Sequence, residues 1–100
     1  MAKQIIWTLT AQKDKKEILK YWLQRNKSNR YSKKLNQLFK DSIRLLREHP
    51  YVGKSTDDDS VRIKIVKEYL LIYEVTETSI IILLIWDGRQ DPSKLEDILK

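Results

Sequence analysis

The sequence predicts a single α+β domain over residues 1–100. An N-terminal strand and a helical hairpin pack on a mostly antiparallel, curved sheet, and a short helix closes the chain. Three observations carry this expectation. Two stripes of apolar residues at helical spacing fill the first half, three strand-like runs fill the second, and only two glycines and two prolines interrupt the chain. A helix with one apolar stripe must bury it, and a sheet with one apolar face provides the cover.

Residues 4–9 alternate, with Ile5, Trp7 and Leu9 on one side, which predicts a short strand. Thr10 then stands as the expected N-cap of a first helix whose apolar face is Ala11, Ile18, Leu19, Trp22 and Leu23. That helix is expected to stop near Asn26–Asn29. A second helix reads from about Asn29 to His49, with Tyr31, Leu35, Leu38, Phe39, Ile43, Leu45 and Leu46 as its apolar set. Pro50 ends it, because the residue before a proline avoids helical dihedrals. The short connection makes the pair an antiparallel hairpin.

Ser55 to Ser60 reads as a polar loop. Asp57, Asp58 and Asp59 within it lack the spacing of a metal loop. Val61 to Val66 alternates strictly. Tyr69 to Val75 and Ser79 to Trp86 follow, joined by a hairpin-length Thr76-Glu77-Thr78. The last of these runs is continuously apolar, which predicts a central strand covered on both faces. Asp91 as N-cap with Pro92 at the first helical position predicts the closing helix, with Leu95, Ile98 and Leu99 on one face.

The net charge is +6, unevenly spread. Residues 12–49 carry twelve lysines and arginines against four carboxylates, whereas residues 50–100 carry seven against ten. A cationic helical half points to an anionic partner, either nucleic acid or an acidic protein segment. A solvated lysine-rich surface is the plain alternative. With no cysteine, disulfide and thiol chemistry are excluded. The run from Ile80 to Trp86 is far short of the roughly 20 residues that span a bilayer, and no signal peptide is expected, so a cytoplasmic protein without a membrane role is the expectation. A glycine-rich phosphate loop, a Cys/His metal set and a nucleophile elbow are all lacking. No metal or cofactor is therefore expected.

Four short words carry a family resemblance. Trp86-Asp87-Gly88-Arg89-Gln90-Asp91-Pro92 resembles the tail of RelE/ParE-family toxins, where an Arg-Gln-Asn/Asp-Pro stretch closes the sheet. Val61-Arg62 through Tyr69 to Tyr73-Glu74 resembles that family's central hairpin. His49-Pro50-Tyr51-Val52-Gly53 is similar to its Pro-x-x-Gly break, and Asp14, Ile18 and Tyr21-Trp22 are similar to its first helix. Together they span residues 5–95 in the family's order. The resemblance implies the toxin half of a bacterial type II toxin–antitoxin pair, a class that includes plasmid-stabilisation systems. It implies a cognate antitoxin that wraps the toxin and makes the operator DNA contacts itself.

Two activities occur in that family. RelE-like members cut messenger RNA on the ribosome, and ParE-like members inhibit DNA gyrase. Metal-free RNA cleavage needs a base for the 2′-hydroxyl, cations for the phosphorane and an acid for the leaving oxygen. Here Arg62, Lys64 and Arg89 are the candidates, and the expectation is that the sheet's rim gathers them on one side. Ribonuclease members carry an arginine three residues before the tyrosine matched by Tyr73, where this chain has Leu70, and a further tyrosine beyond the arginine matched by Arg89, which this chain lacks. The non-nuclease branch is therefore favoured. Its expected contacts with target or antitoxin are Lys67, Tyr69, Tyr73, Trp86 and Arg89. A ribosome-dependent nuclease and a degenerate member that only binds antitoxin remain as alternatives. Structural readings stand beside these. Arg89 could fix its turn through Asp87 or Asp91, Tyr73 could pack on a helix, and His49 suits a helix C-terminus.

Overall fold

The computed structural model describes residues 3–26 and 29–89. The chain runs β1 (Gln4–Trp7), α1 (Leu9–Asn26), α2 (Arg30–Glu48), β2 (Lys54–Ser55), β3 (Val61–Val66), β4 (Tyr69–Val75) and β5 (Ser79–Asp87). The five strands form one sheet in the order β1-β5-β4-β3-β2. β1 runs parallel to β5, and every other neighbouring pair is antiparallel. This is the predicted α+β architecture. The helix expected over 91–99 lies outside the described residues.

The helices cover one face of the sheet. Alternation along the strands sends Tyr69, Leu71, Tyr73 and Val75 of β4 and Ile80, Ile82 and Ile85 of β5 into a core with Leu35, Phe39 and Leu46 of α2 and Ala11 of α1. Ile18, Leu19 and Trp22 of α1 pack around its rim, while Leu23 is left exposed. Registration places Arg62 opposite Tyr73, Lys64 opposite Leu71 and Val66 opposite Tyr69. Directly opposed residues share a face, so Arg62 and Lys64 lie on the helix-covered side.

The sequence expectation needs three local corrections. The first strand ends at Trp7 rather than Leu9, and Thr8, not Thr10, caps α1. The Thr8 hydroxyl oxygen accepts the Ala11 N–H at 3.0 Å and donates its own proton to the Leu83 carbonyl at 2.7 Å. That satisfies one orphan donor of the first turn and leaves Leu9 84% exposed. The Leu83 carbonyl is available because β5 bulges: Ile72 pairs with Leu84 but Tyr73 pairs with Ile82. The polar loop after Gly53 also contributes a strand, β2, which pairs Lys54 with Ile63 and Ser55 with Arg62. Finally, β5 is interior but β4 is the central strand. Ile81, Leu83, Leu84 and Trp86 of β5 are only half-buried, so β5 is not covered equally on both faces.

Candidate functional site: a cleft between α1 and β5

A cleft of about 530 Å³ lies where the middle of α1 passes the end of β5. One side is α1. Asp14, Glu17, Ile18 and Tyr21 recur three, four and seven apart, which is one helical face. The other side is Tyr69 from β4, Ile85, Trp86 and Asp87 from β5, and Arg89 just beyond it. Asp14 joins the two sides, because its carboxylate accepts the Ile85 N–H at 3.1 Å. Burial pushes that carboxyl above its ordinary value. The Ile85 bond opposes the shift, and nearby Glu17 adds to it.

Arg89 is tied down. Its Nε and Nη2 donate to the two oxygens of Asp87 at 3.0 and 2.8 Å, and its backbone N–H reaches Asp87 as well. The fork of two parallel bonds is the strong carboxylate geometry. It holds Asp87 below the usual carboxylate range and the Arg89 guanidinium above its ordinary value. The guanidinium also lies 5.7 Å from the centre of the Trp22 ring. The Trp22 indole N–H donates to the Tyr69 hydroxyl at 2.7 Å, and the Trp22 ring meets Tyr21 and Tyr31 edge-on. Burial raises the Tyr69 phenol. The lining thus combines Tyr69, braced from outside the cleft by Trp22, one neutralised cation, and the Asp14, Glu17 and Tyr21 face of α1.

Of the residues expected to act, Tyr69, Trp86 and Arg89 meet in this cleft, and Arg62, Lys64, Lys67 and Tyr73 do not. Arg62 sits four residues along β3 from Val66, which shares its row with Tyr69 and Asp87. At about 3.3 Å per residue, roughly 13 Å of strand separates the two rows. Arg62 is instead bound to the loop after α2. Its Nη1 donates to the carbonyls of Gly53 at 3.2 Å and Tyr51 at 3.4 Å, and its guanidinium stands 5.1 Å from the Tyr51 ring centre. Tyr73 belongs to the same closure, donating to the Pro50 carbonyl at 2.8 Å and accepting the Gly53 N–H at 3.0 Å. Burial raises its phenol too. Lys64 is half-buried on the same side of β3. Lys67 is exposed in the β3–β4 turn with a left-handed backbone, φ 57°.

The expected gathering of Arg62, Lys64 and Arg89 therefore does not occur, because the register sets Arg62 and Arg89 at different ends of the sheet. The ion pair of Arg89 with Asp87 and the packing of Tyr73 follow the structural readings of those residues. Glu17 and Asp87 were not singled out from the sequence as cleft residues. The available signal was a carboxylate at Asp14 within an otherwise apolar helical face. Among the described residues no group of His, Cys, Asp or Glu is placed to hold a metal ion, and no helix is long and apolar enough to cross a membrane.

Comparison with known proteins adds family and fold. Residues 5–92 match the family model described as the ParE toxin of the type II toxin–antitoxin system parDE. No curated protein sequence matches the chain. A solved structure described as the chromosomal ParDE TA system from P. aeruginosa superposes with a TM-score of 0.73 at 18% identity, covering 86% of this chain and 96% of that one. At that identity the likeness concerns the fold.

Proposed function

The chain belongs to the ParE toxin family of type II toxin–antitoxin systems, and from that premise we propose that it is a cytoplasmic toxin that arrests growth by binding an essential target such as DNA gyrase. A cognate antitoxin neutralises it. The reading rests chiefly on one observation: the two arginines a nuclease would need together are held apart, each by partners within the fold. Cleavage without a metal requires a base, an acid and a cation around one phosphate. Arg89 spends its Nε and Nη2 on Asp87, Arg62 gives its Nη1 to two carbonyls, and the Tyr73 hydroxyl is committed at both its donor and acceptor sides. Lys64 alone does not make such a site.

The cleft suits recognition better than chemistry. A cleft lined by Tyr21, Tyr69 and Trp86 together with carboxylates favours an anchoring side chain of the partner, as in the buried centre of a protein interface. Purified toxin should inhibit gyrase supercoiling. Primer extension on translated messages should show no ribosome-dependent cuts. Unimpaired supercoiling at large toxin excess, or cleavage of the message, would overturn the proposal.

A further inference from the structure

A second cleft, of about 340 Å³, lies on the helical hairpin away from the site described above. Its floor is Trp7 and Ile43, and its walls are Lys15 of α1 with Lys40, Arg44 and Arg47 of α2. Four cations and no carboxylate line it. Among the described residues none of these four cations is paired with a carboxylate. Lys40, Arg44 and Arg47 are exposed and fall on one face of α2, a row about 10 Å long at 1.5 Å per residue. Lys15 is held inward, its ammonium 5.2 Å from the centre of the Trp7 ring. Burial lowers the pKa of that ammonium, and the charge on Lys40 lowers it further.

We propose that this cleft binds the phosphodiester backbone of a nucleic-acid strand, a contact made by the toxin's own helices. Charge alone would admit an acidic peptide equally well, but hydrogen-bonding capacity decides between the two. Every polar side chain in the lining, whether lysine, arginine or the tryptophan indole, is a donor and none is an acceptor. An extended peptide brings its own backbone N–H groups, which find no side-chain acceptor in this lining. A phosphodiester offers acceptors only, so it matches the lining throughout. The Trp7 ring beneath the cleft already carries the Lys15 ammonium and so holds that cation at its base.

Fluorescence anisotropy of a fluorescein-labelled 12-nucleotide single strand, with toxin alone, tests this without gyrase or antitoxin. Its outcome is therefore independent of the function proposed above. The parent should bind at 50 mM salt. A K40Q/R44Q/R47Q variant, checked for helicity by circular dichroism, should bind tenfold or more weakly. Its log–log salt dependence should be shallower by about 2, since each phosphate contact to a single strand contributes roughly 0.7. A charge-matched K16Q/K33Q/K34Q control, which removes exposed cations outside the cleft, should lose much less. If the triple variant does not fold, R44Q and K40Q singly carry the same comparison. The proposal is overturned if the parent does not bind, if the control loses as much as the cleft variant, or if a Glu/Leu 12-residue peptide of equal charge binds more tightly than the oligonucleotide.

Discussion

Arg62 and Arg89 stand at opposite ends of the helix-covered side of the sheet, and the two ends are built for different purposes. The Arg62 end is closed by the chain itself. The Tyr73 hydroxyl bridges the Pro50 carbonyl and the Gly53 N–H, and the Arg62 guanidinium ties the Gly53 and Tyr51 carbonyls to β3. The Arg89 end is braced yet open. Arg89, Asp87, Trp22 and Tyr69 hold one another, and a cleft remains in front of them. One arginine finishes a loop and the other finishes the wall of a binding site. Residue type is the same in both; what differs is whether a neighbouring segment has been folded over it.

The largest effect should come from filling the closed end. A Cβ on Gly53 would lie 2.7 Å from the Tyr73 hydroxyl and 2.8 Å from the Ile63 carbonyl, which belongs to a paired strand. Neither neighbour can retreat without breaking a buried bond. Gly53→Ala should therefore cost about 2–4 kcal/mol, read as a lower urea midpoint with little change in slope. An unchanged midpoint would mean that the loop is not locked as described.

Tyr73→Phe comes next. It removes no apolar volume but strands the Gly53 N–H and the Pro50 carbonyl, so about 1–3 kcal/mol should be lost. The two substitutions share a contact, so the double variant should lose less than the sum of the singles. Strict additivity would count against a shared network.

Changes at the open end should reverse the pattern, with little effect on stability and a large one on binding. Tyr21 is 42% exposed and Glu17 is exposed on the same helical face. Tyr21→Ala and Glu17→Lys should each shift unfolding by less than about 1 kcal/mol. Each should weaken the antitoxin complex tenfold or more, which is about 1.4 kcal/mol. Isothermal titration with the cognate antitoxin measures the second quantity. If affinity survives both changes, the antitoxin does not use this cleft.

These contrasts also explain what could be read from the sequence. Period-2 alternation from Val61 and the run from Ser79 located β3, β4 and β5 nearly to the residue, because those strands bury one face against helices. The helical stripes were legible for the same reason. The parallel pairing of β1 with β5 was not legible, since it joins segments more than 70 residues apart, and neither was the bulge at Leu83, since it is set by cross-strand register rather than by a local pattern. The cleft shared that obscurity: Asp14 and Ile85 meet only after folding. The expected union of Arg62 with Arg89 failed on register, which no local pattern encodes.

The smallest effect is the most diagnostic of the open end, because two of its carboxylates, Asp14 and Asp87, titrate in opposite senses. Burial raises the Asp14 carboxyl above its unfolded value of 3.8, so the folded chain binds that proton more tightly than the unfolded chain does. Stability is then lost as pH rises through the carboxylate range. Asp14→Asn removes the titration, and its amide oxygen can still accept the Ile85 N–H. The variant should be more stable than the parent at pH 7, and the advantage should vanish below pH 3.8. Asp87 has the other sign. Arg89 lowers its carboxyl, so its contribution is present at neutral pH and fades as acid protonates it. Asp87→Asn should be the less stable variant at pH 7 by no more than about 1 kcal/mol, as befits a partly exposed pair, and should converge on the parent in acid. Urea midpoints collected between pH 3 and pH 7 would show two curves leaving the parent on opposite sides. Curves departing on the same side would mean that Asp14 is solvated, and that the cleft is shallower than its lining implies.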